Sequence, residues 1–144
     1  MRQITRRETL HFSAPVERVL PMFTPAGERL WAYGWDPRFP AGERGDGADP
    51  GTVFTTEHSG DVTTWIVVER TPSGAQYARV AHGRNAGLVT VTCTPDGRDG
   101  TAAEVTYELT ALTPEGDAEL AHFEREYPTM MRHWQEAVAA ALDA

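Results

Sequence analysis

The sequence contains no lysine; the 13 residues that make up its Lys and Arg count are all arginine. That absence excludes a lysine Schiff base, a phosphate-loop lysine and a lysine general base. Cysteine is nearly missing too: Cys93 stands alone, so no intrachain disulfide can form. No apolar run approaches the roughly 20 residues that a membrane-spanning helix needs. The opening residues, Met1 to Glu8, lack the apolar stretch of a secretory signal, so a cytoplasmic protein is expected. Basic charge is outnumbered, with 21 acidic residues giving a net charge of -8. Such a surface repels nucleic acid on average, and no dense Arg run offsets it. Dinucleotide fingerprint, phosphate loop and G-x-S-x-G elbow are all absent, and no cofactor is expected.

The chain has 144 residues, a length that fits one domain spanning 1–144. Hydrophobic residues at 40% and charged residues at 24% are globular values, which excludes wholesale disorder. Ile4 to Phe12 alternates as a strand does. Ser13 offers an N-cap and Pro15 a first turn, with Val16, Val19, Leu20 and Phe23 on one face of a short helix that Pro21 ends or kinks. Thr24 and Pro25 start a second short helix running toward Glu28, Arg29, Leu30 and Trp31. From Tyr33 to Gly51 periodicity vanishes, and a loop this long is usually a functional lid or a disordered segment.

Five strand-like runs follow: Thr52 to His58, Val62 to Arg70, Ala75 to His82, Leu88 to Thr94, and Ala102 to Leu112. Short turn-rich breaks separate them, such as Ser59-Gly60-Asp61 and Pro95-Asp96-Gly97, which implies an antiparallel meander rather than a parallel sheet. Thr113 then caps a long final helix whose apolar stripe is Phe123, Tyr127, Met130, Trp134, Val138 and Ala141. Pro128 inside it predicts a kink near residues 124–128.

Strand, two short helices, meander and long C-terminal helix is the order of the α+β helix-grip fold, a curved antiparallel sheet wrapped around its last helix. Phe12-Ser13-Ala14-Pro15-Val16-Glu17-Arg18-Val19 resembles the opening of START-like proteins, the SRPBCC or polyketide cyclase-dehydratase type superfamily. Gly27-Glu28-Arg29-Leu30-Trp31, Gly34-Trp35-Asp36-Pro37 and Gly51-Thr52-Val53-Phe54 are similar to a bacterial branch of it. The resemblance implies a cavity between the concave sheet and the C-terminal helix. It implies no single activity, since members include lipid carriers, receptors, cyclases, aromatases and chaperone regulators.

Within that frame, aromatic residues either pack the core or line the cavity. Trp31, Tyr33 and Trp35 adjoin the loop expected to rim the cavity mouth; Phe123, Tyr127, Met130 and Trp134 face the sheet, and Trp65 joins the candidate lining. Phe54 draws Thr56 and His58 to the inner face of their strand. Tyr107 shares an inner face with Val105 and Leu109, and Cys93 another with Val89 and Val91, which makes Cys93 a buried hydrophobe. Around residue 79 the alternation is ambiguous. Either Tyr77 and Arg79 point in, and a buried cation then needs an anionic ligand or a Glu, or Ala78, Val80 and His82 do. No histidine pair has the spacing of a zinc motif, and no metal site is expected; His122 and His133 lie about 16 Å apart along a straight helix.

Three functions fit. The first is binding of a small apolar or amphipathic molecule (a lipid, aromatic or polyketide-like metabolite), oriented by Arg79, His58, Tyr77 and Tyr107. The second is a cyclase, aromatase or dehydratase using His58 or Tyr107 for proton transfer while Arg79 polarises a carbonyl. The third is an interaction module of chaperone-regulator type, with the loop from Tyr33 to Gly51 as contact surface. Whether the chain is a monomer or homodimer stays open.

Overall fold

Turn chemistry decides the topology. In the computed structural model, which describes all 144 residues, six strands form one antiparallel sheet. β1 (Gln3–Phe12) is followed by the short helices α1 (Val16–Val19) and α2 (Pro25–Glu28), with a 3₁₀ turn over Leu20–Phe23 between them. Then come β2 (Val53–His58), β3 (Asp61–Thr71), β4 (Gly74–Ala81), β5 (Asn85–Asp96) and β6 (Gly100–Ala111), and the long helix α3 (Pro114–Asp143). The meander stacks in sequence order, and β1 closes on the far side of β6, from Gln3 opposite Thr110 to Phe12 opposite Thr101. This is the expected helix-grip architecture. No helix is long and apolar enough to cross a membrane.

Side-chain alternation sets the two faces. Val105, Tyr107 and Leu109 of β6, Val89, Val91 and Cys93 of β5, and Ala75, Tyr77 and Ala81 of β4 are buried on the concave side. Burial pushes the Cys93 thiol up to about 11, so it stays protonated and inert. A bulge at Val67–Glu69 interrupts the pairing of β3 with β4. At Gly87 a Cβ would fall on the carbonyl oxygen of Glu108, so the bend of β5 against β6 requires glycine.

Two expectations need correction at α1 and α2. The residue preceding α1 at its N-cap is Pro15, and no side chain caps the helix, because Ser13 lies two residues too early. The α-helix does end ahead of Pro21, as expected, and the turn that holds Pro21 tightens to 3₁₀ geometry. α2 lasts four residues, and Leu30 beyond it is exposed. Thr24 caps α2 as expected, accepting from the Gly27 N–H at 3.1 Å while donating to the Pro21 carbonyl at 2.7 Å.

α3 is seated at three levels. Thr113 caps it, accepting from Gly116 N–H (3.1 Å) and donating to the Gly83 carbonyl (2.7 Å). Midway, the Tyr127 hydroxyl donates to the Val105 carbonyl at 2.6 Å, and at the end Arg18 donates to the Leu142 carbonyl at 2.7 Å. The helix runs unbroken through Pro128, whose missing N–H leaves the Glu124 carbonyl without its helical donor. The buried stripe reads Leu120, Tyr127, Met131, Val138 and Leu142, while Phe123, Met130 and Trp134 are only half buried beside it. At Gly116 a Cβ would overlap the Arg84 carbonyl oxygen, which is backbone and cannot swing aside. Gly116→Ala is therefore expected to cost about 2–4 kcal/mol, read as a lower urea midpoint with an unchanged slope.

Candidate functional site

Two prolines leave the segment 21–25 short of backbone donors, and distant aromatic side chains supply its carbonyls instead. Trp31 Nε1 donates to Met22 O (2.6 Å), the Tyr77 hydroxyl to Phe23 O (2.9 Å), and Trp35 Nε1 to Pro25 O (2.9 Å). These bonds fix three rings around the turn that carries Glu28. Phe54 and Trp65 stack with planes 1° apart, and Trp35 meets both edge-on. On the helix side Trp31 meets Trp134 at 5.1 Å, and Tyr107 contacts Phe123 and Trp134. Trp65 is held in turn by its Nε1 bond to Thr56 Oγ1 at 3.0 Å.

Between these two aromatic groups lies a void of about 20 Å3. It is lined by Phe23, Trp35, Phe54, Trp65, Tyr77, Val89, Val91, Tyr107 and Trp134, with one ionisable intruder, Glu28. The volume suffices for about one water molecule. A larger occupant must displace side chains. Phe123, Met130 and Trp134 make no side-chain hydrogen bonds and are half buried, so the α3 wall yields before the pinned Trp31 and Trp35 do.

Glu28 sits at the end of α2, the residue partly exposed overall while its carboxyl enters the void. No hydrogen bond and no cation there compensates the loss of water, and desolvation alone pushes its pKa up to about 8. At neutral pH the group is mostly a neutral acid. Tyr107 is buried with a hydroxyl that has no protein partner; desolvation raises its pKa, Arg79 pulls it down and Glu28 pushes it up. Burial likewise raises the Tyr77 hydroxyl, with Glu28 adding to the effect. Glu28 and Tyr107 are thus two unsatisfied polar groups within electrostatic reach of each other in an apolar chamber.

The long loop between Tyr33 and Gly51 is strapped down. Arg29 grips Glu43 with two bonds of 2.7 and 2.8 Å, Arg38 and Thr55 exchange backbone bonds, Ala26 N–H donates to Asp46 O, and Gly51 N–H to Val67 O. It closes the space that α3 leaves over β2–β4, since α3 packs on β1, β6 and β5.

The profile of the family described as polyketide cyclase / dehydrase and lipid transport matches residues 3–144. The chain belongs to that family. Solved structures with the same fold include the Zhui aromatase/cyclase of a Streptomyces species, with TM-score 0.72, 12% identity, and coverage of 99% of this chain and 94% of that one. A protein from Arthrobacter aurescens superposes with TM-score 0.68 at 17% identity, covering 96% and 86%. An HSP90 activator from Plasmodium falciparum follows with TM-score 0.55 at 18% identity, covering 73% and 72%. No functionally curated protein matches the sequence.

In this polyketide cyclase-type chain the expected site residues divide into four groups. Trp35, Phe54, Trp65, Tyr77, Tyr107 and Trp134 line the void. Trp31, Phe123, Tyr127 and Met130 stand behind that lining; the Tyr127 hydroxyl is spent on β6. Arg79 shares the inner face of β4 with Tyr77 and lies over the Trp65 ring at 5.4 Å, which settles the ambiguous strand in favour of the inward orientation. Tyr33 and His58 are corrections. Tyr33 is wholly exposed, because the chain turns outward before Gly34. His58 occupies the last position of β2, at the exposed turn into β3, and it cannot transfer protons in the void.

Sequence reasoning missed Phe23, Val89 and Val91 as lining and, above all, Glu28. No sequence signal marked it: that Glu28 shares a face of α2 with the buried Pro25 is visible only in the fold. Because its folded pKa lies above the ordinary 4.5, the folded state binds a proton that the unfolded chain has released between pH 4.5 and about 8. Stability should fall as pH rises through that window and level off above it. Glu28→Gln should abolish this component and be the more stable form at pH 9 by roughly 2–4 kcal/mol, measured by urea unfolding at several pH values.

Proposed function

We propose that this protein binds a small apolar or amphipathic molecule (lipid, aromatic or polyketide-like) between the concave sheet and α3, with a polar atom of the ligand seated on Glu28 and Tyr107. One observation carries the reading: an acid and a phenol without partners share an otherwise apolar, aromatic-lined void. Leaving such groups unpaired costs stability that a chain gains nothing from unless something else uses them. Apolar walls supply affinity, and the two polar groups fix orientation. The wall formed by Phe123, Met130 and Trp134 moves to enlarge the space.

A second reading is supported by the same carboxyl. A glutamic acid that holds its proton near neutrality, beside a phenol, is equipped for general acid catalysis on a ligand carbonyl or hydroxyl. The family description and the aromatase/cyclase among the fold relatives agree with it. Glu28 replaces His58 as the proton-transferring candidate, with Tyr107 retained. An interaction role has its own observation, the apolar residues Val53, Val62, Ile66 and Val68 exposed on the convex face, but it leaves Glu28 without a purpose.

Titration with 2-acetonaphthone, an aromatic ketone, tests the binding reading through the fluorescence of Trp35, Trp65 and Trp134. Saturable quenching is expected. Glu28→Gln and Tyr107→Phe should each weaken it by roughly 3–10-fold, the worth of one hydrogen bond. Native mass spectrometry of the fresh protein should also reveal a mass released on denaturation. No quenching and no released mass would end this reading.

A further inference from the structure

Arg79 is a cation without a counterion. It makes no ion pair and no side-chain hydrogen bond, and its Nε is shut off from solvent with no acceptor. Its inward orientation follows from β4 pleating, and its cross-strand neighbours are Trp65 on one side and Gly87 on the other. Glycine there leaves the β5 side of the guanidinium without a covering side chain. Trp65, whose face supports the guanidinium, also lines the void, so cation and cavity share a wall. Tyr107, the other shared neighbour, feels both Arg79 and Glu28.

No acid of the chain is available to answer it. The carboxylate that acts on it through space, Glu119, is held by Arg84 Nε at 2.9 Å, and Arg84 also takes Asp61 at 2.8 Å. Both carboxylates are thus spent on Arg84, and neither makes an ion pair with Arg79. Glu28, across the cavity, is kept neutral by its own burial. The Trp65 face returns part of the desolvation cost through cation–π attraction, but it offers nothing to the Nε–H.

Resting on the binding function proposed above, we infer that Arg79 is the anion subsite of this cavity, and that the ligand is a small apolar acid whose carboxylate pairs with the guanidinium while its body enters between Trp65 and Tyr107. A planar guanidinium with free donors matches a carboxylate in fork geometry. The opposite polar end, at neutral Glu28 and Tyr107, then meets an uncharged carbonyl or hydroxyl. The two ends are complementary in kind: one selects charge, the other selects against it.

The test compares 2-naphthoate with methyl 2-naphthoate on the full chain, by tryptophan fluorescence and calorimetry, with thermal melts confirming that each variant is folded. The acid should bind the wild-type protein at least tenfold more tightly than the ester, as charged hydrogen bonds imply. Arg79→Gln should erase that preference by weakening the acid far more than the ester, and Arg79→Lys should retain part of it. Equal affinity for acid and ester, or a preference that survives Arg79→Gln, overturns the anion subsite and leaves the binding function standing. If neither naphthalene binds and no mass is released on denaturation, the binding function fails, and the Arg79 Nε–Hε resonance decides the rest. A saturable shift with sodium benzoate but not benzamide supports the subsite, and no shift with benzoate overturns it.

Discussion

The hydroxyl of Tyr77 reaches 54 residues back along the chain to the carbonyl of Phe23, and the interior is arranged around that bond. It pins the 3₁₀ turn to the middle of the sheet. With the turn fixed, α2 can only run as it does, and the carboxyl of Glu28 is carried into the void. Trp31 and Trp35 complete the same device by bonding Met22 and Pro25. A segment stripped of donors by Pro21 and Pro25 thus recruits aromatic rings, and the rings become the chamber walls. Backbone satisfaction and pocket construction are one event here.

The chamber's polarity follows from what the chain omits from it. An apolar cavity with every polar atom paired would be ordinary core. This one keeps three groups unsatisfied: a neutral acid, a phenol and, along the shared Trp65 wall, a cation. Each is costly alone, and the chamber gathers all three along one set of aromatic walls. The small resting volume fits the same picture, because the aromatic side chains close over groups that water would otherwise reach.

The order of elements was legible in the sequence because it rests on local rules. Alternation in β6, glycine turns between strands, and Thr113 before Pro114 each act over a few residues. The site was less legible. Aromatic residues could be nominated by type, yet the parity of β4 was undecidable, since Tyr77 and Arg79 balance Ala78 and Val80 in apolar character. His58 was drawn inward by Phe54, and only its place at the open end of β2, at the turn into β3, puts it in solvent. Glu28 was invisible for a different reason. A carboxylate in a four-residue helix reads as surface, and its burial depends on a hydrogen bond from a residue 49 positions later.

The pairing of β1 with β6 has a consequence for how the molecule is made. Gln3 meets Thr110, so the first strand waits for its partner until most of the chain has been synthesised. Until then the meander presents its concave aromatic face, Phe54, Trp65 and Tyr77, to water with neither α3 nor the first strand in place. Closing so long a loop is slow, and the half-made sheet is open at an edge that the finished fold fills. During synthesis the surface that later becomes the chamber wall is therefore the adhesive one, and the rings that enclose the finished interior are those that most expose the nascent chain to aggregation.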